Sequence, residues 1–295
     1  MTNLSFYIVD VFAETKYAGN QLAVFTNAGT LSSDQMQAIA KEVNFSETTF
    51  ILSPEQRQGG YDVRIFTPAK ELPFAGHPTL GTAFVLQQAV IQQPIEQVNL
   101  NLPVGQIPVT IAVQNAEPDV LWMKTNPPTF GKTVTAEAIA PVLTLLPEDI
   151  DLRFPIQEVS TGLPFLMVPL KSLDALQRIH INTERLMMLV EALQAKQVFV
   201  FCPETRHPVN QFSARMFAPL LGIPEDPATG SANSCFAGYL VEHNVLGSEA
   251  IAARVEQGYE IDRPSLLRLK AEKKNGKIAV AVGGTVVMVA KGEFV

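Results

Sequence analysis

The chain has 295 residues, 47% of them apolar and 17% charged, with a formal net charge of −7. That is material for about two domains with ordinary apolar cores, and the acidic balance, with no block of Lys or Arg, argues against nucleic acid or an anionic membrane surface as the main partner. A small anionic substrate would have to be held locally, by helix ends and a few donors.

From the N-terminus, Met1 to Tyr7 lack the basic start and apolar core of a signal peptide, so a cytoplasmic protein is expected. Ser5 to Ala13 and Gln21 to Thr26 read as strands joined through Ala18-Gly19-Asn20. Ser32 or Ser33 can cap a helix to about Val43, with Met36, Ile39, Ala40 and Val43 at helical spacing. Strands follow at Thr48 to Leu52 and Tyr61 to Thr67, then a long buried helix from about His77 to Val90. Pro94 to Val113 reads as two strands turning at Pro103-Val104-Gly105, and Val120 to Lys124 as one more. Asn126-Pro127-Pro128 is the most linker-like stretch, which places the domain change between about 114 and 130.

The second half repeats the mixture. A helix is expected near Ala136 to Leu145, strands near Gln157 to Ser160 and Pro164 to Pro169, and a helix from Asn182 to Ala195. Strands near Gln197 to Cys202 and Asn210 to Phe217 precede a second buried helix from about Thr229 to His243. The tail from Ala252 is strand-rich. Its apolar tract Ile278 to Ala290 is broken by Gly283-Gly284 and is shorter than the about 20 residues a bilayer needs, so it reads as two strands around a turn. Only Cys202 and Cys235 are present, with the spacing of neither a zinc site nor a disulfide framework, and reduced, buried thiols are expected.

One segment is told twice. Arg64-Ile-Phe-Thr-Pro68 recurs as Arg215-Met-Phe-Ala-Pro219, and each copy leads through a loop of small residues into a buried helix, at Gly76-His77-Pro78-Thr79 and at Asp226-Pro227-Ala228-Thr229-Gly230-Ser231. One wide repeat argues for two related halves rather than a solenoid. Small residues at a helix start let a ligand approach backbone N–H groups at the positive end of the helix dipole, which favours an anion. Loops that merely turn the chain after an old duplication are the plain alternative.

Four side chains could carry chemistry. Glu47 lies in a short polar loop between Phe45 and Phe50, where apolar neighbours can raise a carboxyl towards a pKa useful near neutrality; most loop glutamates are simply solvated. His77 at its helix start resists protonation and could act as a neutral donor or acceptor, or could cap its own loop. Asp226 could orient a substrate amine or His77, or cap its helix. Ser231, with the N–H groups of Gly230 and Ser231 and the nearby Thr229, could donate to a carboxylate or a developing oxyanion.

Rival chemistries fit poorly. Ser231, His77 and Asp226 could form a hydrolase triad, but no Gly-x-Ser-x-Gly elbow surrounds the serine. His77, His207 and Asp226 lack close metal-ligand spacing. A cysteine-pair racemase would need a thiol at each helix start, where this chain has His77 and Ser231. Neither a Gly-x-Gly-x-x-Gly nor a Walker-type motif supports a nucleotide cofactor.

Taken together, Val9-Asp10-Val11-Phe12 with Gly19-Asn20, Asn44-Phe45-Ser46-Glu47-Thr48, Phe74-Ala75-Gly76-His77-Pro78-Thr79 and Glu225-Asp226-Pro227-Ala228-Thr229-Gly230-Ser231-Ala232 resemble the phenazine-biosynthesis PhzF family over essentially the whole chain. The resemblance implies the diaminopimelate epimerase-like α+β fold, two pseudo-symmetric lobes, each a curled mixed β-sheet around a central α-helix, with the active site in the cleft between them. The lobes are expected at 1–118, joined by a C-terminal strand at about 285–295, and at 119–284. It also implies a homodimer and cofactor-independent, metal-free isomerisation. In that reading Glu47 is the general acid/base, His77, Asp226 and Ser231 complete the catalytic set, and Gly76, Thr229 and Gly230 bind substrate. A single acid/base suits a proton shuttle on one face better than stereoinversion. A non-catalytic small-molecule binder that kept the cleft, and a Ser231-dependent hydrolase, remain as alternatives.

Overall fold

The computed structural model describes residues 4–114 and 117–295. Residues 1–3 of the segment read above for a leader, and 115–116 of the span where the domain change is expected, lie outside the described residues. In chain order the elements are β1 (Leu4–Val11), β2 (Asn20–Phe25), α1 (Ser33–Val43), β3 (Glu47–Ile51), β4 (Tyr61–Phe66), β5 (Glu71–Leu72), α2 (Gly76–Val85), β6 (Gln97–Leu102), β7 (Gly105–Gln114) and β8 (Glu117–Thr125). There follow β9 (Thr129–Val134), α3 (Ala136–Leu143), β10 (Ile156–Ser160), β11 (Pro164–Pro169), α4 (Leu173–Gln177), α5 (Thr183–Val190), β12 (Val198–Cys202), β13 (Phe212–Ala218), β14 (Ile223–Asp226) and α6 (Gly230–Glu242). Four strands close the chain, β15 (Ala250–Gln257), β16 (Ser265–Lys274), β17 (Lys277–Gly284) and β18 (Val286–Phe294). Two compact units result, Met1–Met123 with Gly283–Val295, and Lys124–Val282, so the chain changes unit inside β8 and inside β17 rather than in a loop.

Within each unit the strands pair in one pattern. In the first, β1·β2 is antiparallel, β2·β3 parallel, β3·β4 antiparallel, β4·β6 parallel and β6·β7 antiparallel. In the second, β10·β11, β11·β12, β12·β13, β13·β15 and β15·β16 repeat that alternation. The register repeats as well, since Thr48 stands opposite Phe66 as Val198 stands opposite Phe217. The sheet of each unit curls around its own helix. Helix α2 packs against β1, β2, β3, β6, β7 and β18, and α6 against β10, β11, β15 and β16.

Both central helices are apolar or small all round because no face meets water. Every residue of α2 from His77 to Val85 is buried, as are Ala232 to Val241 of α6. Helix α2 is shorter than the periodicity suggests. From Leu86 to Ile91 it widens into a π-turn that closes with the Gln92 N–H on the Gln87 carbonyl at 2.9 Å, and Gln92 in the left-handed region stops it. Helix α1 packs on the other face of β3, where a cluster of Phe25, Phe50, Phe66, Met36 and Ala40 is buried. Its start is the expected serine, Ser32, in a capping box with Gln35.

The repeated Arg-x-Phe-x-Pro segment has a structural role in both copies. Arg64 grips Glu71 through two hydrogen bonds of 2.7 and 2.6 Å with its guanidinium 5.0 Å from the Phe66 ring. Arg215 grips Glu225 at 2.9 and 2.7 Å and lies 4.8 Å from Phe217. Arg215 also donates to the Leu176 carbonyl in the last turn of α4 at 3.0 Å and to the Ile179 carbonyl just past its end at 3.3 Å. The second pair is deeper, with side chains 8% and 9% exposed against 24% and 35% for the first.

The two arginines therefore separate by burial. Arg64→Ala is expected to cost about 1 kcal/mol or less. Arg215→Ala, which strands a buried carboxylate, is expected to cost about 3–5 kcal/mol. Urea unfolding midpoints read both, and equal costs would show that depth does not govern the pair.

Candidate functional site

In the first unit, strand alternation points Glu47 and Thr49 to the same face of β3. That face meets α2, where the Thr49 and Thr82 hydroxyls lie 2.8 Å apart in the core. The same geometry brings Glu47, the first residue of β3, to the N-terminal turn of α2, with its Oε2 3.6 Å from His77 Nε2. His77 is the second residue of α2. Pro78 is the third, and it falls in the turn whose N–H groups have no intrahelical partner. No side chain caps this end, whereas Ser32, Ser172 and Asn182 cap α1, α4 and α5.

Burial pushes the His77 imidazole down to about 3, against which its hydrogen bond to the Gln21 backbone works. His77 is thus neutral at neutral pH and forms no ion pair with Glu47. Its Nε2 makes no hydrogen bond among the described residues, which leaves Nδ1 as the donor to the Gln21 carbonyl and turns the Nε2 lone pair towards Glu47. The Gln21 carbonyl is the participant that sequence reasoning misses. Its place is set by Gly19, where φ is +66° and an added Cβ would lie 2.4 Å from the Val11 carbonyl oxygen, so only glycine turns the chain into β2 there.

In the second unit, Asp226 ends β14, buried, and accepts a hydrogen bond from the Thr229 hydroxyl. Thr229 precedes α6, whose first two residues are Gly230 and Ser231. Again no side chain caps the helix. Gln257, from the end of β15, ties this turn together and was not apparent from the sequence, because it lies 28 residues from Thr229 and joins it only through the β13·β15 pairing. The seven residues singled out above thus fall into two groups, Glu47 with Gly76 and His77, and Asp226 with Thr229, Gly230 and Ser231.

The thiols stand apart from both groups. Burial raises the Cys202 thiol to about 12 and the Cys235 thiol to about 11. Cys235 lies inside α6 with its Sγ 3.6 Å from both the Thr161 hydroxyl and the Leu163 carbonyl. Among the described residues no group of three or more His, Cys, Asp or Glu could hold a metal ion, and no helix is long and apolar enough to cross a membrane.

Two outcomes follow from these environments. The folded imidazole stays neutral to about pH 3 and the unfolded one titrates near 6.5, so between those values the unfolded chain binds more protons. Stability is complete above the upper value and falls with pH below it. Wild type is expected to lose stability from about pH 6 to pH 4 faster than His77→Gln, by up to about 1.4 kcal/mol per pH unit. Parallel unfolding curves would show that the ring is protonated in the fold. Neither cysteine should react with an aromatic disulfide reagent at about pH 8 until the chain is denatured; rapid labelling of Cys235 in the native protein would bring a thiol mechanism back.

The phenazine biosynthesis-like (PhzC-PhzF) family profile matches residues 9–292. Among related sequences, an uncharacterised isomerase of Mesorhizobium japonicum is 33% identical, covering 100% of this chain and 99% of that protein. The trans-2,3-dihydro-3-hydroxyanthranilate isomerase of Pseudomonas aeruginosa is 33% identical over 97% of this chain and 98% of its own. A PhzF-family phenazine biosynthesis protein of Bacillus anthracis superposes with a TM-score of 0.92 at 27% identity, with both chains covered in full. A hydroxyproline epimerase of Agrobacterium vitis, 12% identical, shares the fold alone, with a TM-score of 0.58 over 99% of this chain and 92% of that one. With its paired curled sheets, its two uncapped central helices and a sequence match from end to end, the chain belongs to the phenazine biosynthesis-like family, a family of isomerases.

Proposed function

We propose that the chain is a cofactor-independent isomerase in which Glu47 moves a proton on a small carboxylate-bearing substrate. Glu47 takes a proton from carbon as a carboxylate and returns it to another carbon as a carboxylic acid, so no proton or electron is gained or lost. His77, kept neutral, offers its Nε2 lone pair to Glu47 when that residue carries the proton, without trapping the carboxylate in an ion pair. Gly76, Gly230 and Ser231 supply donors to the substrate anion, with Thr229 and Asp226 shaping the second group.

One observation carries the single-base reading. Matching the β3·β4 register to that of β12·β13 sets Thr48 against Val198, so the position equivalent to Glu47 in the second unit is Gln197. An amide cannot exchange protons as a carboxyl does. At this matched position the acid/base is thus present in one copy alone, which favours a shuttle by Glu47 over an inversion by two equivalent glutamates. The Pseudomonas relatives' substrate, a carboxylated and hydroxylated ring, is the natural first probe. The same reading, resting on the sequence resemblance, has the enzyme act as a homodimer in the cytoplasm.

Proton NMR in deuterated water tests this. Wild-type protein with trans-2,3-dihydro-3-hydroxyanthranilate, then with pooled small carboxylates, is expected to give an isomerised product or deuterium at carbon. Glu47→Gln should lower the rate by roughly 10²–10⁴-fold or more with the fold intact. Turnover retained in that variant removes Glu47 from the mechanism, and binding with no exchange in wild type favours a non-catalytic binder.

A further inference from the structure

The amide of Gln257, 1% exposed at the end of β15, makes four hydrogen bonds, and their directions are fixed by chemistry. Its oxygen accepts from the Thr229 N–H at 3.3 Å and from Asn233 Nδ2 at 2.9 Å. Its nitrogen donates to the Asp226 carbonyl at 2.9 Å and to the Thr229 hydroxyl at 3.1 Å. Turning the amide over would set donor against donor and acceptor against acceptor, so one orientation is allowed. The Thr229 hydroxyl, already accepting from Gln257, has one proton, and it goes to Asp226 Oδ2. A directed relay runs from Gln257 through Thr229 to the Asp226 carboxylate.

The strand end that carries this amide is itself fixed. Gly258 follows with φ +79°, and a Cβ there would lie 2.5 Å from the Pro227 carbonyl and 2.4 Å from that of Arg263. Glu256, pointing the other way, accepts from the backbone of Arg206 and His207 and from Asn210, all at 2.8 Å, and from the Ser213 hydroxyl at 3.1 Å. Strand β15 is thus held on one face by a buried carboxylate and delivers an amide on the other.

The fold does not require that amide. Tyr61 faces Leu100 in the first unit as Phe212 faces Val255 in the second, so the position matching Gln257 is Leu102. The first unit makes the same sheet around the same kind of helix with leucine at that place. A polar residue there in the second unit points to the site and not to the architecture.

We propose that Gln257 is a positioning residue of the isomerase site, acting through Thr229 to lock a hydroxyl donor onto Asp226 and so present that carboxylate in one orientation. The proposal rests on the functional reading above in placing Asp226 at the site. Gln257→Glu keeps the shape but can only accept, so the Thr229 proton is drawn away from Asp226. Gln257→Met removes the donor without adding a charge, and serves if the glutamate variant does not fold.

The test has two readouts on the full-length chain. In proton NMR, wild type should show a slowly exchanging Thr229 hydroxyl resonance that is lost in Gln257→Met. With trans-2,3-dihydro-3-hydroxyanthranilate as probe, Gln257→Met and Thr229→Val should each lower kcat by roughly tenfold or more with KM little changed, and the double variant should fall no further than either. A simple brace predicts instead that the losses add, or that they fall on stability with kcat of the folded fraction unchanged. Either result, or a hydroxyl resonance that survives in Gln257→Met, overturns the proposal. A relay proton that behaves as expected in a wild type inert towards the probe upholds the positioning and sinks the substrate assignment.

Discussion

Burying a helix on every side is the constraint from which the rest of this structure follows. A surface helix can hand its unpaired N–H groups to water, but a helix wrapped in its own sheet must satisfy them with protein or with ligand. In α2 and α6 the flank is filled by small and apolar residues, and internal hydroxyls turn back on the helix, Thr79 onto the Ala75 carbonyl at 2.7 Å and Ser234 onto the Gly230 carbonyl at 2.9 Å. Neither helix start receives a side-chain cap. Polar chemistry is therefore concentrated at these two ends by the architecture itself, which is why Glu47 with His77, and Asp226 with Thr229, are found there and not elsewhere on the helices.

The neutral state of His77 follows from the same burial. A charged imidazole beside Glu47 would give a tight pair and a carboxylate committed to it. Desolvation prevents that, and the Gln21 carbonyl selects the tautomer. A carboxyl beside a neutral ring can change protonation state without breaking an ion pair, and proton transfer to and from carbon needs that freedom.

Much of this was legible in the sequence because the signals are local. The offset between Arg64 and Arg215 reveals the duplication, Ser32 marks the start of α1, and the small residues around Gly76 and Gly230 mark the central helices. Glu47 was legible only through the family pattern around it, since a lone glutamate in a polar loop carries little weight. Other features were hidden because they depend on contacts remote in sequence. The strand β9 follows the Pro127-Pro128 pair, which reads as linker, and exists because β10 pairs with it. The π-turn at Leu86–Ile91 continues an apolar run that periodicity cannot tell from an α-helix. The Gln21 carbonyl and the Gln257 amide reach the site only through sheet pairing.

The repeat also separates what the fold needs from what the chemistry needs. Residues that brace each sheet are kept in both copies, as with Arg64 and Arg215, each on a glutamate and each against a phenylalanine two residues on. Residues at the helix ends and the strand positions beside them have diverged, Glu47 against Gln197 and Leu102 against Gln257. If those polar residues were structural, the unit lacking them would have to compensate with another buried polar contact at the same register. The first unit instead places Leu102 there, buried and apolar. The two halves thus act as mutual controls: both build the same sheet around a buried helix, so the carboxyl of Glu47 and the amide of Gln257, each present in one copy alone, are not requirements of that sheet.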